Sequence, residues 1–168
     1  MTLSGGFAAY CTMTPLRFAA LLCLVLVAPV VARAQRERLP PEDVDVVEKR
    51  WPDAKETSMS IRYVVEKTGS GALLQPGDQV SVTYIGALLN GKVFDKNLDP
   101  AKPFTFRIDR GEVISGWDQI LQMMRVGDKW TVIIPPELAY GRKGSPPKIP
   151  GYATLVFDME VVGVKRIN

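Results

Sequence analysis

The stretch GEVISGWDQILQMM, residues 111–124, has apolar residues that recur with the period of an α-helix. They stand at positions i, i+3, i+4 and i+7, namely Trp117, Ile120, Leu121 and Met124. This spacing predicts one short amphipathic helix, and Gly127 is suited to end it as a C-terminal cap. The same spacing places Trp117 on the buried face, as a core residue or as the floor of a pocket.

Segments on both sides of this helix alternate apolar and polar residues with the period of two that is typical of half-buried β-strands. They are residues 61–66, 80–84, 104–108, 130–134 and 155–162. Asn90-Gly91 predicts a tight hairpin between two strands. The fold class that follows is α+β, an antiparallel sheet with one helix laid across its concave face.

Aromatic residues come from six separate segments of this region, which is more rings than a small sheet needs for packing. They are Tyr84, Phe94, Phe104, Trp117, Tyr140 and Phe157. We therefore hypothesise an aromatic-lined pocket above the helix. The spacing of Trp117 taken alone still favours a core residue over a site residue.

The N-terminal third of the chain predicts a secretory signal peptide, residues 1–34. Residues 18–31 are uncharged and largely apolar, Arg17 precedes them, and an A-x-A cleavage site follows at residues 32–34. The apolar run is shorter than the roughly 20 residues of a membrane-spanning helix, so a membrane tether by an uncleaved leader is the alternative. Translation from Met13 would give a more typical leader. The leader suits a bacterial periplasm, and no stable membrane span is expected after cleavage.

The residue inventory excludes several kinds of active site. Cys11 and Cys23 both lie in the leader, so the chain after Ala34 has no cysteine and no histidine. A histidine-based triad, a thiol nucleophile and a His/Cys zinc site are excluded, and we expect no cofactor and no metal. Removal of the leader leaves 19 basic and 18 acidic residues, which gives no indication of nucleic-acid binding.

Residues 35–57 predict a linker with a short N-terminal helix ahead of the main domain, residues 58–168. QRERLPP, residues 35–41, is polar and broken by proline, and Pro40-Pro41 and Pro52 bracket a helix over residues 42–51. Val44, Val47 and Trp51 form a thin apolar stripe on it. The helix either docks on its own domain or serves as a partner-binding arm, and the sequence does not separate the two.

Five segments together resemble the signature segments of the FKBP-type peptidyl-prolyl cis-trans isomerases, over about residues 58–165. They are VTYIGALLNGKVFD (82–95), KPFTF (102–106), GEVISGWDQIL (111–121), AYG (139–141) and ATLVFDMEV (153–161). The resemblance implies an FKBP-like antiparallel half-barrel of five to six strands wrapped around one short amphipathic helix.

The resemblance also implies the roles of ten residues. The catalytic group would be Tyr84, Phe94, Asp95 and Tyr140, with Asp95 the one acidic group near the twisting amide. The indole of Trp117 would carry the substrate proline, and the other substrate-binding residues would be Phe104, Val113, Ile114, Ile149 and Phe157. The Ile114 N–H and the Tyr140 hydroxyl would hold substrate carbonyls. From the residues alone, Phe104 and Phe157 fit a core as well as a site, Asp95 could cap a turn, and Glu112 is expected to face solvent.

The activity implied is the rotation of X-Pro bonds in exported proteins that are still folding. Rotation about an amide has a barrier of about 18–20 kcal/mol, and no bond is made or broken, so no nucleophile is needed. The partners implied are proline-containing polypeptides and folding intermediates, together with macrolide inhibitors, and we expect a monomer. The alternative function is an FKBP-fold chaperone or binding module with little isomerase activity.

The loop after Tyr140 departs from the family pattern. Ser145 stands where relatives often have histidine, and Lys148 stands where an apolar residue is common. These changes put macrolide affinity and peptide preference in doubt. Arg142, Lys143 and Lys148 make this loop basic, which usually indicates a solvated loop; the sharper hypothesis is a preference for clients with acidic residues near proline.

Overall fold

A single antiparallel sheet of seven strands dominates the computed structural model, which describes residues 39–167. Its strands are β1 (Lys55–Glu56), β2 (Arg62–Lys67), β3 (Gln79–Leu88), β4 (Val93–Asn97), β5 (Phe104–Arg107), β6 (Lys129–Ile134) and β7 (Leu155–Lys165). Two α-helices accompany it, α1 (Pro41–Arg50) and α2 (Ser115–Leu121), with short 3-10 turns at Pro136–Leu138 and Gly141–Lys143. The α+β prediction is confirmed, and the strand beyond the expected five to six is the two-residue β1.

The strand order is β1-β2-β6-β7-β3-β4, and β5 also pairs with β3. One edge of β3 therefore pairs with two different strands, β5 along its first part and β4 along its second. Val82 pairs with Phe104 of β5, whereas Tyr84 pairs with Asn97 of β4. The chain between β4 and β5 leaves the sheet at this point, so the sheet opens beside Tyr84.

Helix α2 packs its apolar face against the main core, as the spacing of residues 111–124 predicted. Trp117, Ile120 and Leu121 are buried, and a Cβ on Gly116 would lie 2.5 Å from the Ile134 Cγ2. Glycine at position 116 therefore allows the helix to approach β6 closely.

The prediction that Gly127 caps this helix is wrong. The helix ends at Leu121, although Met124 beyond it is still fully buried. The Asp128 carboxylate accepts the Arg125 N–H at 2.7 Å and turns the chain toward β6 before Gly127 is reached. Gly127 then adopts a φ of +93° and donates its N–H to the Val161 carbonyl. Its role is to make the turn into β6.

Helix α1 docks on its own sheet. Val47 is fully buried in a second small core with Leu39, Ile133 and Val156. The Thr154 hydroxyl donates to the Asp43 carboxylate at 2.5 Å and ties the first turn of the helix to the chain before β7. Of the two alternatives for this helix, the structure has the docked one. In the described part of the predicted linker, α1 and β1 therefore both belong to the folded unit.

No helix within residues 39–167 is long and apolar enough to cross a membrane. The predicted signal peptide, its cleavage after Ala34 and the alternative start at Met13 lie outside the described residues.

Candidate active site

A cavity of about 200 Å³ lies between the end of α2 that begins at Ser115 and the opening in the sheet. Such a volume is below that of pockets that enclose a whole drug-sized ligand and suits one side chain or one ring of a larger ligand. Nine of the ten predicted site residues line it, together with Glu112: Tyr84, Phe94, Asp95, Phe104, Val113, Ile114, Trp117, Tyr140 and Phe157. The residues come from four strands, one helix and two loops, so the fold alone brings them together.

Trp117 forms the base of this cavity and is also packed as core. Only 4% of its surface is exposed, and the Tyr84 ring stands edge-on to it at a centroid distance of 5.0 Å. The Phe157 ring does the same at 5.2 Å. Edge-to-face packing of this kind fixes the rings firmly. The two interpretations of Trp117 are therefore compatible: the indole is held by the core below and lines the cavity above.

The sheet register sets the far wall. Gly86 of β3 pairs with Phe157 of β7 on one side and with Asp95 of β4 on the other. A Cβ at Gly86 would lie 2.8 Å from ring carbons of both Phe94 and Phe157. The absence of a side chain at Gly86 thus allows both rings to lie against the strand, where they meet edge to face at 5.7 Å.

Two polar side chains at the rim bond to each other. The Tyr84 hydroxyl donates to the Asp95 Oδ2 at 2.7 Å, and the Asp95 Oδ1 accepts the Lys96 N–H at 2.9 Å. Burial raises the pKa of the Tyr84 phenol, and the hydrogen bond to Asp95 raises it further. The phenol is therefore neutral at any physiological pH, and its proton keeps the carboxylate in one orientation.

Several hydrogen-bond donors of the cavity, the buried Trp117 indole N–H among them, have no acceptor among residues 39–167, and two of them belong to Ile114 and Tyr140. The Ile114 carbonyl accepts from the Trp117 N–H at 2.9 Å and starts α2, but the Ile114 N–H itself donates to nothing. The Tyr140 hydroxyl, on a side chain that is 42% exposed, is likewise unpaired. A bound group that carries carbonyl oxygens could accept from both.

Ile149 is the predicted site residue that the structure does not bring to the cavity. Its side chain is 4% exposed and lies in the main core. Two backbone hydrogen bonds with Ser145, at 2.8 and 3.0 Å, close the loop that carries Ile149. Phe104, by contrast, is 37% exposed and is more a wall than a core residue.

Glu112 lines the cavity although it was assigned to solvent. It is exposed as expected, but its carboxylate accepts the Arg107 N–H at 3.1 Å and is thereby held at the rim. Its position next to Val113 in the quoted stretch was the signal that could have identified it.

The walls of the cavity are apolar and aromatic, and the donors sit at its edges. Such a site favours a compact apolar ring flanked by carbonyl groups over a charged or strongly hydrated ligand. It can also hold the chain on either side of that ring while the ring turns.

Comparison with known proteins places this geometry in a family. A family model described as FKBP-type peptidyl-prolyl cis-trans isomerase matches residues 71–162. FK506-binding protein 2 of Dictyostelium discoideum is 38% identical over 144 residues, which cover 86% of this chain and 97% of that protein. FK506-binding protein 4 of Rhizopus delemar is 50% identical over 99 residues, 59% of this chain but 26% of that protein. This chain therefore spans about a quarter of the Rhizopus protein and nearly all of the Dictyostelium protein.

A solved structure agrees with the sequence comparison. The peptidyl-prolyl cis-trans isomerase of Pseudomonas syringae has a TM-score of 0.64 and 37% identity, and the match covers 71% of this chain and 86% of that one. The half-barrel implied by the sequence resemblance is confirmed by this likeness. The chain belongs to the FKBP-type peptidyl-prolyl cis-trans isomerase family.

Proposed function

We propose that this chain accelerates cis-trans isomerisation of X-Pro bonds in proline-containing polypeptides and folding intermediates. The observation that carries the proposal is the aromatic cavity over Trp117 with the free Ile114 N–H and Tyr140 hydroxyl at its edge. The cavity volume of about 200 Å³ is large enough to hold a pyrrolidine ring.

The chemistry asked of this site is differential binding of a twisted amide. Both isomers of an X-Pro bond are populated, and they exchange in tens to hundreds of seconds without a catalyst. Twisting breaks the conjugation of the amide and reduces its charge separation, so the twisted form is less polar than the planar one. A dry aromatic cavity favours that form relative to water, and each 1.4 kcal/mol of preference raises the rate about tenfold.

The two free donors would hold the flanking chain during the rotation. A substrate carbonyl on the Ile114 N–H and another on the Tyr140 hydroxyl leave the imide bond as the one part free to turn. Asp95 would then lie at the rim beside the rotating amide, and its hydrogen bond from Tyr84 keeps the carboxylate from swinging into the cavity. Catalysis by positioning of this kind needs no covalent intermediate.

The test is the cis-to-trans rate of short X-Pro peptides with the wild-type chain and two matched variants. Tyr140→Phe removes one hydroxyl at the cavity, and Tyr152→Phe removes one from a tyrosine that is 58% exposed and does not line it. We expect kcat/KM to fall about three- to tenfold in Tyr140→Phe, the loss of one hydrogen bond, and to stay unchanged in Tyr152→Phe. A folded chain that binds peptides without accelerating them would contradict the proposal and indicate the binding-module alternative.

The export prediction remains a proposal of its own. We propose a cleaved leader and a periplasmic location, with a membrane-tethered form as the alternative, because residues 18–31 have the length of a signal-peptide core. N-terminal sequencing of the chain from fractionated cells tests it, and a mature N-terminus at Gln35 is expected. A chain found intact in the membrane fraction would favour the tether.

Two further expectations follow from the same family. A macrolide inhibitor should compete with peptide for the cavity, with an affinity altered by Ser145 and Lys148. The chain should sediment as a monomer, and a tight dimer in analytical ultracentrifugation would overturn that expectation.

A further inference from the structure

A second, shallower groove continues from the cavity along the outside of β4. Its volume is about 540 Å³, and it shares Tyr84 and Asp95 with the cavity. The remaining lining residues are Lys96, Asn97, Leu98 and Asp99. A peptide whose proline occupies the cavity can therefore run over the Tyr84–Asp95 pair into this groove without leaving the protein surface.

The loop that walls the groove is rigidly built. Asn97 donates its side-chain amide to the Lys102 carbonyl at 3.0 Å and accepts the Asp99 N–H at 3.2 Å. Asp99 in turn accepts the Ala101 N–H at 2.9 Å. These bonds hold Leu98 outward, where 57% of its surface is exposed. An apolar side chain is thus presented in a fixed position beside the cavity.

The charges around this Leu98 are mostly negative. Asp95 and Asp99 both line the groove, and within residues 39–167 neither forms an ion pair with Lys or Arg. Lys96 is the one cation of the lining, and within the described residues it forms an ion pair with neither carboxylate. The rim of the cavity adds Glu112 and no cation.

We propose that this groove is a subsite for a Lys or Arg residue of the client close to the proline. The aliphatic stem of that residue lies on Leu98, and its charged head reaches Asp95 and Asp99. Long basic side chains bury their stems on apolar surface in this way while the head stays in water. The inference rests on the proposed isomerase function and adds to it a preference among substrates.

The proposal replaces the hypothesis of a preference for acidic clients. That hypothesis rested on Arg142, Lys143 and Lys148, which are exposed and line neither the cavity nor the groove. Along the path of the peptide, carboxylates outnumber cations three to one. A client carboxylate there would face Asp95, Asp99 and Glu112.

The experiment compares kcat/KM for proline peptides that carry Lys, norleucine, Glu or Ala at each position within two residues of the proline, at low ionic strength. Norleucine keeps the stem of Lys without its charge. At one of these positions we expect Lys to exceed norleucine about threefold and Glu to fall below it by a similar factor, as for partly exposed ion pairs. High salt should reduce the Lys-to-Glu ratio, because it screens such pairs.

Two variants locate the effect. Asp99→Asn keeps an oxygen for the Ala101 N–H but removes the charge, so the Lys-to-norleucine ratio should move toward one. Asp53→Asn removes one exposed charge that lines neither the cavity nor the groove and should leave the ratio unchanged. Leu98→Ala should lower turnover of the Lys and norleucine peptides together and leave their ratio intact.

The outcomes separate this inference from the proposed function. If the Ala peptide is not accelerated, the isomerase proposal itself fails. If the Ala peptide is accelerated but Lys and Glu peptides are turned over equally, or Glu is preferred, the groove is not a cationic subsite. A Lys preference that survives Asp99→Asn in full would likewise overturn the placement.

Discussion

Gly86 offers the sharpest test of how the cavity wall is built, through the substitution Gly86→Ala. The new methyl group would lie 2.8 Å from ring carbons of Phe94 and Phe157, whereas ordinary van der Waals contact begins at 3.4 Å. Each ring must therefore retreat by about 0.6 Å. Gly86 does not have a positive φ, so the strand itself accepts alanine, and any loss comes from the displaced rings.

The magnitude follows from overpacking of a closed wall. Phe94 and Phe157 are 7% and 3% exposed, and Phe157 also stands edge-on to Trp117, so the rings can retreat mainly into the cavity that they line. Inserting a methyl group into such a site typically costs 1–3 kcal/mol. We expect a loss of about 2 kcal/mol in the free energy of unfolding. Since displaced walls also misplace a bound ring, kcat/KM should fall about tenfold.

The assays are urea denaturation followed by circular dichroism and the cis-to-trans rate of an X-Pro peptide. Gly163→Ala is the matched control, because it adds the same methyl group within β7, where the nearest atom is the Ser81 Cβ at 3.9 Å. The control should be neutral or slightly stabilising in both assays. If Gly86→Ala behaved like the control, the close approach of the two rings to β3 would not shape the cavity, and the reasoning would be refuted.

Three further substitutions test the framework around the site. Asp128→Ala leaves two backbone N–H groups without their acceptor, so we expect the free energy of unfolding in urea to fall by about 2–4 kcal/mol. Asp128→Asn should lose roughly half as much, and kcat/KM should be unchanged in both variants. Val47→Ala removes two fully buried methyl groups and should lower the free energy of unfolding by about 2 kcal/mol. Val46→Ala, at a position that is 45% exposed, should lower it by less than about 0.5 kcal/mol. Equal effects would mean that α1 does not dock. Tyr84 has a pKa raised above 10.0 in the folded state, so its stabilisation is complete below about pH 10 and is lost as the pH rises further. Tyr84→Phe should therefore make the alkaline fall in unfolding free energy less steep, and an unchanged slope between pH 9 and 11 would contradict the assignment.

The period of two located β2, β5, β6 and β7, but it reached only the first half of β3. The prediction for β3 stopped at Tyr84, whereas the strand continues to Leu88. On β6 and β7, Val132 and Phe157 face the main core while Ile133 and Val156 face the core under α1. Alternation still marked β6 and β7, because Thr131, Asp158 and Glu160 interrupt their apolar residues, but it did not reveal that both faces are covered. The second cover is α1, whose docking was the alternative that the sequence left open.

The ends of α2 were misjudged for a related reason. Met124 is as fully buried as Ile120, so the apolar stripe continues past Leu121, where the helix stops. Beyond Leu121 the chain tightens, because the Met123 and Met124 N–H groups donate to carbonyls only three residues back, and the Asp128 carboxylate then holds the next turn by accepting backbone N–H groups at 2.6 and 2.7 Å. Hydrophobic spacing reports burial and not backbone conformation, so a turn held by a distant side chain leaves no mark on it.

The family resemblance predicted which side chains belong to the site. The prediction was wrong where the backbone conformation of a loop determines the position of the side chain. Ring positions follow from the sheet register, so the wall residues fell into place together. Ile149 did not, because two hydrogen bonds to Ser145 close its loop and place its side chain in the core.

Backbone geometry, here the pairing of β3, also determines whether Trp117 is only a core residue or also the floor of a cavity. The spacing of α2 determines that the indole faces the sheet, but a closed sheet would bury it completely. The indole is exposed to a cavity because β3 exchanges its edge partner, β5 up to Val82 and β4 from Tyr84 onward. The gap between those partners is where the Tyr84 ring and the Asp95 carboxylate meet above Trp117. A register shift that closed this gap would leave every aromatic residue in the chain and abolish the site, which is why the pairing of β3, and not the number of rings, determines whether the fold has this cavity.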